Sequence, residues 1–135
     1  MTYSIRQIEG IGPAMASRLK SIKIRTTSGL LEAARTVKGR KEIAEKIGVD
    51  EQTVLRWANL ADRMRIKGVR EPYAELLRAA GVDTVRELRH RNVENLAQAV
   101  AEANRKRKLV HVLPTEKRLK RWIEEAKKLP PKISY

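Results

Sequence analysis

The chain has no cysteine, two histidines and only 4% aromatic residues in a length of 135. Without cysteine there is no disulfide, no thiolate nucleophile and no thiolate zinc site, a pattern that fits a reducing cytosol. So few aromatics leave little for a reader of single strands, which works by stacking bases. The histidines, His90 and His111, stand in unrelated surroundings and would need carboxylates from distant segments to hold a metal. No apolar run approaches the ~20 residues of a membrane span, and the N-terminus lacks the pattern of a signal peptide. A Gly-x-x-x-x-Gly-Lys loop, a nucleophile elbow and paired acids at useful spacing are all missing. Asp50, Asp62 and Asp83 read as cap, surface and turn residues. The expectation is a cytoplasmic chain that is not an enzyme and has neither a small-molecule substrate nor a membrane partner.

What is abundant is positive charge: 30 basic residues against 16 acidic, a formal net charge of +14. Each half of the chain is itself basic, so the excess belongs to the folded body and not to a tail. Hydrophobic content of 41% is enough for a core. A basic folded body points to a polyanion, most often nucleic acid.

One stretch organises the rest. Ile8-Glu9-Gly10-Ile11-Gly12-Pro13 places two glycines around an apolar residue, with proline next. Glycine admits positive φ and close backbone approach, and proline suits the first helical position. The stretch reads as a tight hairpin feeding a helix N-terminus, where outward amide groups and the helix dipole make an anion site. Ile66-Lys67-Gly68-Val69-Arg70-Glu71-Pro72 echoes it, and the match continues without a gap: Leu19 falls on Leu77, Ile24 on Val82, Thr26 on Thr84, Leu30 on Leu88. Later Trp57 answers Trp122. This is an internal repeat of roughly 60 residues, the second copy longer by about seven.

Nearly every segment reads as helix, with weak strand signals only at 3–8 and 109–113. Helices are expected at 14–22, 28–36, 40–47, 51–65, 72–80, 84–89, 93–104 and 116–129. Gly39 should break the chain between the second and third; Thr26, Thr27, Ser28, Asp50 and Thr115 are cap candidates, and Gly81 a C′ glycine. Trp57, Trp122 and Tyr73 fall on apolar faces and read as core. The extra residues of the second copy lie between Asn104 and Pro114 and carry Arg105, Lys106, Arg107 and Lys108 in a row.

A helix, a short hairpin containing Gly-apolar-Gly and a second helix resemble the helix-hairpin-helix motif of DNA-binding proteins. That resemblance implies hairpin amides gripping DNA phosphates without reading sequence, in some members with a cation bridging hairpin carbonyls to phosphate. It also implies two motifs packed as a five-helix unit. Gly10-Ile11-Gly12 carries the first hairpin; Gly48-Val49-Asp50, Gly68-Val69-Arg70 and the stretch 105–114 take the other hairpin positions. The whole chain also resembles a bacterial family of tandem helix-hairpin-helix domains of unassigned function, through 39–48, 57–69, 79–88 and 108–129. Two departures stand out. Arg70 occupies the second glycine position, where an arginine at positive φ would be strained, and Ala14 stands where DNA binders often carry lysine.

The fold expectation is therefore all-α: tandem helix-hairpin-helix repeats, two five-helix-type units at 1–65 and 66–135 packed as one compact body and sharing the helix at 51–65. The function expectation is largely sequence-independent binding of double-stranded DNA, with a nucleoid location. Gly10, Ile11, Gly12 and Ala14 would hold phosphate through their amides, amid Arg18, Lys20, Lys38, Arg40 and Lys41. Lys67, Gly68 and Arg70 would form a further contact, and Arg105, Lys106, Arg107 and Lys108 with Lys117, Arg118, Lys120 and Arg121 another. Trp57 and Trp122 are not in this set. Structured RNA is a variant, and the alternative is a scaffolding module that binds an acidic protein. No cofactor is called for beyond a monovalent cation at a hairpin.

Overall fold

The computed structural model describes residues 2–135, so the first residue of the first unit lies outside it. Among the described residues eight helices follow a 3-10 turn at Ile5–Gln7: α1 (Pro13–Ser21), α2 (Thr27–Ala33), α3 (Val37–Ile47), α4 (Glu51–Arg63), α5 (Glu71–Ala79), α6 (Val85–Arg89), α7 (Val93–Arg107) and α8 (Glu116–Lys128). The architecture is all-α and compact. The order repeats, with α1 to α4 answered by α5 to α8.

The repeat holds at the level of single hydrogen bonds. Ile11 N–H donates to the Ile8 carbonyl at 3.1 Å and Val69 N–H to that of Ile66 at 3.0 Å. Ala16 and Ala74 each reach back four residues at 2.8 Å, to Gly12 and Arg70. Thr26 and Thr84 cap α2 and α6 through the amides of Gly29 and Glu87, both at 3.0 Å.

α4 is the helix both copies use. Its inward face (Val54, Trp57, Ala58, Leu60, Ala61, Met64) is buried, and it packs against α2, α3 and α5. α8 closes the second copy against α6 and α7. The buried apolar side chains form one continuous core. Arg63 at the end of α4 is fully buried; its Nε donates to the Ala74 carbonyl at 3.2 Å and another nitrogen donates to the Asp83 carbonyl, joining α4 to α5 and to the turn before α6. Burial pushes its guanidinium down to about 10.

Several sequence expectations need correction. Neither 3–8 nor 109–113 is a strand; the first is the 3-10 turn with one isolated bridge, Ser4 to Thr26. Gly39 does not break the chain. It lies in the first turn of α3, capped by Thr36, and a Cβ there would come within 2.1 Å of the Ala33 carbonyl oxygen. Glycine is present because the end of α2 passes against it, which periodicity alone does not reveal. α7 runs on to Arg107, because the polar side of a helix ending in solvent tolerates Arg105, Lys106 and Arg107 without a break. Among the described residues no helix is long and apolar enough to cross a membrane.

Candidate nucleic-acid interface

Each repeat hairpin rests on a tryptophan. Gly10 has φ +95° and Gly68 φ +88°, a region that strains any residue with a Cβ. A Cβ on Gly10 would lie 3.4 Å from the Trp57 indole nitrogen, and one on Gly68 would lie 3.5 Å from that of Trp122. The two tryptophans, 1% and 2% exposed, are thus the floors of equivalent hairpins. Ile11 and Val69 point inward beside them and are buried.

The second glycine position behaves differently from the sequence expectation. Gly12 has φ −83° and ψ −175°, and Arg70 has φ −99° and ψ −178°. Both are extended N-cap residues, so arginine fits without strain and the third hairpin keeps its turn.

Six helices have a side-chain cap, from Thr26, Thr36, Asp50, Thr84, Asn92 or Thr115. The exceptions are α1 and α5, the helices that follow the Gly10 and Gly68 hairpins. An uncapped N-terminus has amide donors for an outside anion. The two differ in what already stands beside them. At the Gly68 hairpin the Lys67 amide donates to a Glu125 carboxylate oxygen at 3.1 Å, and Glu71 occupies the first turn of α5. At the first hairpin Gly12 and Ala14 are exposed, and nothing lies within 4 Å of a Cβ built on Gly12. The Gly48 hairpin is closed to anions, since Asp50 fills the α4 N-terminus at 2.7 Å from the Thr53 nitrogen.

The cations fall into three groups. Arg18 donates to the Ile47 carbonyl at 3.1 Å, tying α1 to the Gly48 hairpin. Lys20, Lys38 and Lys41 are exposed, but Arg40 is a correction: it is buried, with its guanidinium donating to the carbonyls of Ala34 at 2.9 Å and Ser134 at 2.7 Å. It serves the fold because the C-terminal segment crosses over it. In the second copy, Arg70 stacks on the Tyr3 ring at 4.9 Å, and Arg118 lies over Tyr73 at 5.0 Å and Trp122 at 5.3 Å, beside Gly68. The third group surrounds the α7–α8 connection. Arg105, Lys106 and Arg107 end α7 and Lys108 is its C-cap, while Lys117, Lys120 and Arg121 are exposed on α8, which starts after the same short loop. Glu102 pairs with Arg105 at 2.6 Å and Lys106 at 3.6 Å.

A family model described as a domain of unknown function, DUF4332, matches residues 9–129. The chain belongs to that family. No curated protein and no solved structure matches it.

Sequence reasoning missed a cluster in this DUF4332 chain. Glu9, beside Gly10, faces α5, where Glu9, Glu75, Arg56, Arg78 and Arg107 surround a cavity of about 140 Å³. Glu75 is 4% exposed and lies 3.7 Å from Arg78. Burial pushes its carboxyl up, and the Glu9 carboxyl adds to the effect. The partners come from four separate segments, so no local spacing signals them. The folded state holds the Glu75 proton more tightly than the unfolded chain, so this site's stability falls as pH rises from 4.5 through the raised value. Glu9→Gln removes the facing charge. It should make the upward shift at Glu75 smaller, and with it the loss of stability as pH rises. Urea denaturation over a range of acid to neutral pH checks this, and a pH dependence equal to that of the native protein would disprove it.

Proposed function

We propose that this chain is a non-enzymatic binder of double-stranded DNA, largely independent of sequence, that works as tandem helix-hairpin-helix units of the nucleoid. The supporting observation is the first hairpin: a positive-φ glycine on a tryptophan floor, then exposed Gly12, Pro13 and an α1 N-terminus that no side chain caps, in a chain of net charge +14. A phosphate oxygen would receive the amides there, with Arg18 and Lys20 on the same helix. The cations around the α7–α8 connection would hold a second length of backbone. In the third hairpin, Glu125 already engages an amide, so Arg70 and Arg118 would contact phosphate through their side chains. Phosphate contacts position a protein on the duplex without specifying sequence.

The test is fluorescence anisotropy of a labelled ~30-base-pair duplex over a salt series. Five to eight neutralised phosphates give a log K versus log [salt] slope of roughly −4.5 to −7, little changed between unrelated sequences. A flat salt dependence would sink the reading, and a much steeper response with duplex RNA would redirect it. The second reading, a scaffolding module, draws on the third hairpin, whose amide is satisfied by the protein's own Glu125 as in a hairpin used for packing. Capture of one acidic protein, unchanged by nuclease, would favour it.

A further inference from the structure

The residues that make the second copy longer lengthen α7 and form the α7–α8 loop, and this loop holds apolar side chains out in water. Val112 is 69% exposed and Leu113 40%, two of four exposed large hydrophobics among the described residues. They are adjacent in sequence and lie along the chain between the cations at the end of α7 and those at the start of α8. A loose loop would fold such residues inward, but here it is braced. The Asn104 side chain grips Val110 from both sides, donating to its carbonyl at 3.0 Å and accepting from its amide at 2.9 Å. The Tyr73 hydroxyl donates to the Val112 carbonyl at 3.3 Å. Pro114 is buried, and Thr115 fixes the start of α8 by accepting from the Arg118 amide at 3.2 Å. Tyr73 in turn lies under Arg118, which reaches the Gly68 hairpin. The tip is therefore rigidly coupled to the rest of the candidate interface.

We infer that Val112 and Leu113 form an apolar wedge that enters a base step of duplex DNA from the minor groove while cations of the flanking helices hold the neighbouring phosphates. This rests on the DNA-binding reading proposed above. The basic segments on either side of the tip in the chain select a polyanion. A braced apolar pair, preceded in the chain by Arg105, Lys106, Arg107 and Lys108 and followed by Lys117, Lys120 and Arg121, matches the way architectural proteins unstack a step and bend the helix. Two exposed side chains make a small footprint, suited to a single base step, whereas a membrane-surface anchor uses a broad apolar face.

The experiment compares the native protein with the double variant Val112→Ser/Leu113→Ser. Both residues are exposed, and the substitutions alter no charge. End-labelled ~30-base-pair duplexes report bending by energy transfer, and anisotropy reports affinity for a matched duplex and for one with a central mismatch. The native protein is expected to bend the duplex by about 20–90° and to prefer the mismatch, whose step is already unstacked. The variant should keep the salt slope, lose the bend and the mismatch preference, and bind matched DNA about three- to tenfold more weakly, a loss of up to about 1.4 kcal/mol. If both proteins bind with the same steep slope and bend the duplex equally, or not at all, the wedge is wrong and DNA binding stands. If neither binds DNA with a steep slope, both inferences fall. Vesicles containing phosphatidylserine supply the remaining arm: binding there that the double variant abolishes, without duplex binding, would make the tip a lipid contact and overturn the wedge.

Discussion

Trp57→Ala is expected to remove about 3–5 kcal/mol of folding stability, the usual cost of emptying a buried tryptophan site. Typical domains have only about 5–15 kcal/mol in total. Trp57 is 1% exposed, sits on the helix that both copies pack against, and supports the Gly10 turn. Truncation would leave a void beneath that turn and loosen α4 against α2, α3 and α5 together. The variant retains one tryptophan, Trp122, in the other copy. Its fluorescence should report the loss at a distance: the urea midpoint followed at Trp122 should fall together with the midpoint followed by helical circular dichroism. A Trp122 transition that stays at its native midpoint while the circular dichroism splits would show that α4 does not unite the two copies.

Gly12→Asp should separate stability from binding. Gly12 has nearly the backbone geometry of Asp50, φ −83° against −84°, and open space where a side chain would go. At Asp50 the carboxylate accepts from the Thr53 amide, a hydrogen bond that holds its carboxyl below the usual range. An aspartate at position 12 should cap α1 in the same manner and raise stability by a few tenths to about 1 kcal/mol. The same carboxylate would occupy the site proposed for phosphate. Duplex affinity should drop about tenfold or more, and the salt slope should become shallower by about 0.9, the share of one phosphate. Thermal denaturation and anisotropy on the same preparation test both halves. Unchanged DNA affinity in a stabilised variant would remove the first hairpin from the interface, even if the protein binds DNA elsewhere.

Local chemistry made much of this fold legible. Thr26, Asp50 and Thr115 cap the helices they were expected to cap, and the equivalence of Ile8–Pro13 with Ile66–Pro72 extends to matching hydrogen bonds, because each signal lies within a few residues. The site was less legible. Nothing near Arg40 in sequence reveals that Ser134 will cover it. Arg70 looked strained only because the glycine at that position in the first hairpin was read as a conformational requirement; the turn needs positive φ at Gly68 alone. The exposure of Val112 and Leu113 depends on Tyr73 and Asn104, which lie outside the loop. A run such as Leu109-Val110-His111-Val112-Leu113 reads equally well as a buried strand.

The crossing of the C-terminal segment over Arg40 also has a consequence during synthesis. Arg40 and Ser134 are 94 residues apart, and Lys132 meets Glu32 across a separation of 100. At ~5–20 residues per second, the ribosome takes roughly 5–20 seconds to make the partner that covers the Arg40 guanidinium. Throughout that interval the first copy can form its hairpins and helices, yet one of its buried cations keeps a bonding position open to water. The contact that seals the first copy therefore forms only after all the helices of the second copy have been made.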